Sequence, residues 1–384
     1  MKKFRIHILS LAHTKCNSDF VKCAYTNKAF QMCKMMKNLG HEIYLYAPFN
    51  NLTDPELPPH DKFIPTVSEN TWNSYLGDYD TNANFFKFNQ KDPVWTEYLN
   101  TLQNELPLNI DETKQNFVLC WFGNFYADVL NSLPKSVFVV EAGIGYSGIF
   151  AKFKVFESYA WMHWIYGLQN KELGDWYDTV IPNAYDPEDF PFREKKENYF
   201  LFVGRLTRNK GINIAEQVSR HLGIPLYIAG QAPGQLHSLG IFLDDQVKYI
   251  GVLNKEERAK WMGGAQAVFV PTFYIGPFEG VNVEAQFCGT PVITSYFGVF
   301  NETVQHGVTG YRCRTFGDFI WAAKHSKELD PKKIREWAVS NFSLDRVKLM
   351  YQAYFEQLVN LKNRGWYETN LEYLNLDHFN KYYV

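Results

Sequence analysis

The chain has 384 residues, of which 46% are hydrophobic and 17% aromatic, and its 39 basic and 41 acidic side chains leave a formal charge of -2. That length is too great for one hydrophobic core, so two domains are expected, and the supply of core-forming side chains excludes wholesale disorder. The near-balance of charge gives no overall footprint for nucleic acid or an anionic membrane. The cysteines, Cys16, Cys23, Cys33, Cys120, Cys288 and Cys313, are scattered without a C-x-x-C pair or a His/Cys cluster, which suits reduced, packed thiols in a cytoplasmic protein. No apolar run approaches the ~20 residues of a membrane span.

In chain order, MKKFRIHILSLAH reads as a first strand and not a leader, because Arg5 and His7 interrupt its apolar run. A polar loop over residues 11–20, a helical pattern from about Lys22 to Leu39, a stop at Gly40 and a second strand, GHEIYLYA, follow. Pro48 to Pro65 is a loop by composition. The alternation continues through Val94 to Asn104, FVLCWFG at 117–123 and the buried-strand run SVFVVEAG at 136–143. Residues 151–171 read as one helix with a heavy aromatic face, and DTVIPN at 178–183 as a short strand. YDPEDFPFREKKEN, 185–198, is rich in Pro and charge and without apolar period, the composition of a hinge.

The pattern then repeats: NYFLFVGR, a loop, INIAEQVSRHLG and IPLYIAG restate the order that opened the chain. VKYIGV, EERAKWMGGA, AVFVPT and PVITS extend it, with helices after Phe316. Strands alternating with helices of about three turns predict two α/β domains, each a doubly wound parallel sheet, over 1–184 and 199–345, with helices from 346–384 behind them. Ligands of such sheets bind at the C-terminal strand ends. Attention therefore falls on the loops at 11–20, 141–150, 205–210, 230–235, 252–255 and 274–283.

VGRLTRNKG, 203–211, sets Arg205 and Lys210 on one strand-end loop, with Lys210 beside a helix start where free N–H groups favour an anion. Arg supplies a bidentate fork and Lys a mobile point charge, a pair suited to a diphosphate; a solvated basic loop is the plain alternative. YIGPFEGVNVEAQFCGTPVITS, from Tyr274 to Ser295, gives a second helix start, where Gly280 permits close approach and the N–H groups of Val281 and Asn282 are expected to face the ligand. Glu284, one turn in, is placed to accept hydrogen bonds from sugar hydroxyls, or else is a dipole-favoured acid. Backbone at Val252 and Leu253 is a candidate contact for a flat base, and the loop at Gly230 a weaker one.

Together GR-x4-KG (Gly204, Arg205, Lys210, Gly211), PT-x-Y-x-x-PF (Pro271 to Phe278), VEAQFCGTPVI (Val283 to Ile293) and ET-V-x-x-G-x-x-G (Glu302 to Gly310) resemble the retaining glycosyltransferases of family 4, over roughly 199–345. HTKCNSDFVKCAYTNK and GIGYSGIFAKFKVFESYAWMH resemble a bacterial and viral subgroup of them. The resemblance implies a GT-B fold, a nucleoside diphosphate sugar donor in the C-terminal domain, an acceptor on the N-terminal domain, retention of configuration and a last helix that crosses back. It implies that Arg205 and Lys210 neutralise the donor diphosphate, that Glu284 contacts the ribose, and that no metal is needed. The donor site would then comprise Gly204, Arg205, Lys210, Gly230, Val252, Leu253, Gly276, Phe278, Gly280, Val281, Asn282 and Glu284.

One departure stands out. The family's Glu-x7-Glu element would put its first glutamate, beside the donor sugar, at Gly276, whereas Glu279 stands where glycine is usual. Either Glu279 reaches the sugar from a new angle, or donor use is altered. On the acceptor side, Glu141 ends a strand before GIGYSG and is a candidate base or orienter, with loop capping as the plain alternative. His13, Thr14, Tyr146 and His163 complete that side, although His163 among aromatics reads more readily as a packed histidine. The acceptor stays open among glycan, lipid, small molecule and modified DNA. A non-catalytic nucleotide-sugar binder and another GT-B activity, an epimerase or phosphorylase, are the alternatives.

Overall fold

The computed structural model describes residues 1–17, 23–49, 57–77, 89, 91–231 and 233–361. The first domain contains strands β1 (Arg5–Leu9), β2 (Glu42–Ala47), β3 (Lys62–Pro65), β4 (Asn116–Cys120), β5 (Phe138–Ile144), β6 (Phe153–Phe156) and β7 (Thr179–Val180). Its helices are α1 (Ala24–Asn38), α2 (Glu69–Leu76), α3 (Pro93–Asn109), α4 (Ala127–Leu130) and α5 (Tyr159–Leu168). The second contains β8 (Phe200–Val203), β9 (Leu226–Ala229), β10 (Val247–Tyr249), β11 (Ala267–Val270), β12 (Val292–Ser295) and β13 (Gly310–Cys313). Its helices are α6 (Ile212–Leu222), α7 (Gln235–Ser238), α8 (Lys255–Gly264), α9 (Gly280–Phe287), α10 (Phe300–Thr303), α11 (Phe316–His325) and α12 (Pro331–Phe342), and α13 (Leu344–Leu361) follows. No helix among the described residues is long and apolar enough to cross a membrane.

Both sheets are parallel throughout, in the orders β3-β2-β1-β4-β5-β6-β7 and β10-β9-β8-β11-β12-β13. In each, the order in which strands are added reverses beside the first strand, between β1 and β4 and between β8 and β11, which opens a crevice at the C-terminal strand ends. Strands such as FLFV and AVFV are almost wholly buried because helices cover both faces of a parallel sheet. α12 packs on α9 through Ala338 and Phe342, whereas α13 inserts Val347, Tyr351, Phe355 and Leu358 into the core of the first domain. The final helix thus crosses back.

The two crossings run side by side. Tyr185 N–H donates to Phe342 O at 2.9 Å, and Leu344 N–H to Tyr185 O at 2.9 Å. Beyond this point the segment expected to be a hinge is tied down. Arg335 donates to the carbonyls of Pro187, Phe190 and Phe287, and Lys196 Nζ to Gly263 O (3.0 Å), Cys288 O (3.0 Å) and Thr290 Oγ1 (2.7 Å), with burial drawing its pKa down to about 8.

Two element assignments need correction. Residues 151–171 are not one helix: FKVF is a fully buried strand paired with β5, and Ser158 then caps α5 by accepting from Trp161 N–H at 3.1 Å. A four-residue apolar run carries too little periodicity to tell strand from helix, and the aromatic continuation hid the serine cap. The loop over Pro48 to Pro65 ends in the edge strand β3, and α2, capped by Ser68, was not anticipated. The aromatic tail, Trp366 to Tyr383, lies outside the described residues.

Candidate active site

A cavity of about 680 Å³ lies between the domains, walled on one side by the ends of β8 and β11 and the start of α9, and on the other by α1, β5 and the β6–α5 junction. On the C-terminal wall, Arg205 is exposed at the end of β8. Lys210 donates to both carboxylate oxygens of Glu279, at 2.7 and 2.6 Å, and its ammonium lies 5.0 Å from the centroid of Tyr274.

Glu279 holds a left-handed conformation, φ 60° and ψ 56°, immediately before α9. Such backbone costs a non-glycine residue roughly 1–2 kcal/mol. The conformation turns the carboxylate back over Gly276, where an added Cβ would overlap Glu279 Oε1. The acid three positions late therefore occupies the room that a side chain at 276 would need.

Glu284 lies on the second turn of α9, and burial raises its carboxyl above the ordinary range against the opposing pull of Arg258. Arg258 Nε stands 3.0 Å from Glu284 Oε2, yet the direction is wrong for a hydrogen bond and neither buried atom has a partner. Both residues line the cavity, and their hydrogen-bonding capacity is not used up within the pair.

Other donor-side candidates are arranged differently. Val281 lines the cavity, and Phe278 lines it while packing on Tyr185 at 6.3 Å and Phe342 at 5.9 Å. Asn282 does not offer its N–H: backbone and side chain both donate to Glu279 O, at 3.1 and 2.6 Å, and close the turn. Gly280 is required by Tyr185, whose hydroxyl an added Cβ would overlap. Val252 and Leu253 do not reach the wall; the capping box of Asn254 and Glu257 starts α8 so that Lys255 and Arg258 line it instead. Gly204 and Gly230 support from behind, Gly204 O lying where a Cβ on Gly230 would stand.

The acceptor-side candidates are corrected more thoroughly. Glu141 does not face the cleft, because β5 continues to Ile144 and leaves it in mid-strand, fully buried. It accepts from the N–H groups of Phe150 and Ala151, each at 2.9 Å, and from the Tyr146 hydroxyl at 3.1 Å, and burial pushes its pKa up to about 7. Tyr146 is thereby occupied as well. His13 is buried against Trp95 and Phe122, at 5.3 and 6.5 Å between centroids, and burial lowers its pKa to about 4. The Thr14 hydroxyl bonds that of Thr26. His163 is neither packed nor on the wall: it is exposed on α5, 6.3 Å from the ring of Tyr159.

The residues that do form this wall escaped notice in the sequence. Glu157 follows β6 and pairs with Lys28 of α1, and Asn183 Nδ2 donates to Glu157 Oε2 at 2.8 Å. Tyr25 donates to Gly145 O at 3.0 Å. The available signal was the strand–acid–serine cap order FKVF-E-S, which places Glu157 at a strand end once the helix is started at Tyr159. Two contacts close the seam between the walls. Ser158 Oγ donates to Pro277 O at 2.7 Å, and Glu302 accepts from the first N–H groups of α5, Tyr159 and Ala160, each at 2.8 Å.

Two doubly wound parallel sheets facing a cleft, with a last helix returning to the first domain, make this a GT-B fold. Residues 186–325 match the family model of glycosyl transferases group 1. Among curated proteins, the glycogen synthase of Mycobacterium tuberculosis is 33% identical over 153 residues, covering 35% of this chain and 36% of the relative. The matched part is thus about a third of the relative's length. Among solved structures, AviGT4, a glycosyltransferase involved in avilamycin A biosynthesis, aligns over 93% of this chain and 98% of its own with a TM-score of 0.63 at 17% identity. Anabaena HepE in complex with UDP and glucose aligns over 93% of this chain and 100% of its own, with a TM-score of 0.61 at 14% identity.

Proposed function

We propose that the protein is a retaining glycosyltransferase that moves a sugar from a nucleoside diphosphate sugar to an acceptor hydroxyl. The observation that carries this reading is the Glu284–Arg258 ion pair on the cavity wall, whose Oε2 and Nε make no hydrogen bond, one helix turn from the Lys210–Glu279 pair. The first pair suits ribose hydroxyls, which donate to a carboxylate and accept from a guanidinium. Arg205 and Lys210 then meet the diphosphate, and Glu279 lies beside the transferred sugar. HepE, of the same fold, was crystallised with UDP and glucose, which supports a nucleoside diphosphate and a sugar as the ligand classes.

In the reaction the bond from the anomeric carbon to the phosphate oxygen breaks, its electron pair leaving with the nucleoside diphosphate. The acceptor oxygen bonds the same face of the sugar, and its proton passes to the departing phosphate. Charge developing on that phosphate is stabilised by the two cations, so we assign no resident metal, and activity should survive a chelator. The buried thiols accord with work in the cytoplasm. Thermal shift against a panel of nucleoside diphosphates and their sugars tests the reading, since a ligand that binds the folded state raises the melting temperature. No shift with any of them overturns it. The engagement of Lys210 by Glu279 favours a second reading, a nucleotide-sugar binder without turnover. Release of nucleotide from the donor excludes it.

A further inference from the structure

The N-terminal wall carries a polar cluster that donor chemistry leaves unused. The Glu157 side chain, 5% exposed, engages Lys28 through Oε1 and Asn183 through Oε2. Lys28 also donates to Gly143 O at 2.9 Å and lies 4.8 Å from the centroid of Tyr25. A Cβ on Gly145 would overlap Glu157 Oε1 and stand 3.3 Å from Pro277 Cβ, so this carboxylate lies beside the loop that carries Gly276 and Glu279. A buried ion pair stabilises little over an apolar pair of the same volume, so its presence on a cavity wall favours a role in binding.

We propose that Glu157 and Asn183 hold the acceptor, and that the acceptor presents a neutral, polyhydroxylated group of the saccharide class. This rests on the transferase reading above. A carboxylate and an amide together accept from and donate to sugar hydroxyls. Tyr25, half-buried on that wall, supplies aromatic surface for the C–H face of a pyranose. Lys28 is the one cation among the described residues on that wall, and Glu157 already matches its charge. Unlike the C-terminal wall, where Arg205 stands beside the paired Lys210, this wall offers an anionic acceptor no second cation among the described residues. Glu157 orients the hydroxyl toward the donor loop, while the proton leaves with the phosphate.

The test uses the whole chain with UDP, ADP or GDP bound, whichever the panel selects. Saturation-transfer NMR is run with glucose and maltotriose as neutral probes and inositol 3-phosphate as the anionic one. The wild type should bind the neutral saccharides. Glu157→Gln and Asn183→Ala should each raise their Kd about tenfold, the loss of one good hydrogen bond. The nucleotide Kd should stay within about twofold. Glu157→Gln preserves shape, and Asn183→Ala, which leaves the ion pair intact, decides alone if the first variant fails to fold. The proposal is overturned by no saccharide binding in the wild type, by preference for inositol 3-phosphate, by unchanged saccharide affinity in the variants, or by a parallel rise in nucleotide Kd. Failure of the wild type to bind any nucleoside diphosphate is a separate result that overturns the transferase reading and this inference with it.

Discussion

The two walls of the cleft are built on one device. Each holds a lysine–glutamate pair, Lys210–Glu279 on one side and Lys28–Glu157 on the other, and each carboxylate fills room left by a glycine, Gly276 or Gly145. Beyond the pair they part. The C-terminal wall adds Arg205, Lys255, Arg258 and Glu284, groups suited to a charged ligand. The N-terminal wall adds an amide and aromatic rings, with its ion pair balanced. The difference shows that a glycine in a motif can mark a site for a carboxylate contributed from elsewhere in the chain. Vacancy at 276 removes the side chain expected there without removing an acid from the space.

The comparison breaks first at its strongest claim. Lys210→Ala should lower kcat/KM for donor turnover by about 10²–10³, the usual cost of one preorganised charge partner, with acceptor KM nearly unchanged. Steady-state kinetics on both substrates checks this, and equal effects on both would mean the walls do not divide the labour. Gly276→Glu should lower donor turnover at least about tenfold, because its side chain must displace Glu279, and overpacking costs roughly 1–3 kcal/mol. In the double variant Gly276→Glu, Glu279→Gly much of the loss should return, since the carboxylate regains its room and the left-handed position gains glycine. If Gly276→Glu alone is harmless, the shared device is wrong.

The legibility of the walls differed for a physical reason. Arg205, Lys210 and Glu284 stand on contiguous strand–loop–helix units, where position along the chain fixes position in the cleft. Strand alternation likewise exposed both sheets, whereas the crossing back of the chain was legible only through the family resemblance. Glu157, Lys28 and Asn183 come from three separated segments and meet only through sheet order. Glu141 differs from its expected place because β5 runs three residues beyond it, and in a strand a slip of one residue already reverses the face. The left-handed turn at Glu279 was illegible for a third reason: backbone of that kind is rare outside glycine and leaves no pattern.

Glu141 now sharpens the N-terminal side as a support of its loop. Its folded pKa, about 7, lies above the ordinary carboxyl value, so its contribution to stability is fully present below about pH 4.5 and is lost as pH rises through 7. Glu141→Gln keeps an acceptor for Phe150 and Ala151 and does not ionise. Urea unfolding at pH 5 and pH 8 should therefore show the variant gaining on the wild type by roughly 1–3 kcal/mol between the two, since each tenfold change in proton affinity on folding is worth about 1.36 kcal/mol. A pH-independent difference would mean that this carboxylate ionises freely in the fold, as a cleft-facing base would.

The smallest expected effect lies at the seam, where Tyr185 crosses between domains and presses on the first residue of α9. Gly280 is not in the left-handed region, so contact alone forbids a side chain there. An added Cβ overlaps the Tyr185 hydroxyl, while the next ring atoms stand at 3.4 and 3.9 Å, ordinary packing distances. Gly280→Ala should cost about 1–2 kcal/mol, because α9 or the ring must shift. In the Tyr185→Phe background the same change should be neutral or slightly stabilising, since the hydroxyl is gone and alanine favours the helix. The double-mutant cycle measures this coupling directly, and nucleotide affinity followed in the same four proteins tells whether the seam sets the donor wall. Coupling in stability with unchanged affinity would make the contact structural. Coupling in both would mean that the register of α9, and with it Glu279 and Glu284, is set from the crossing point.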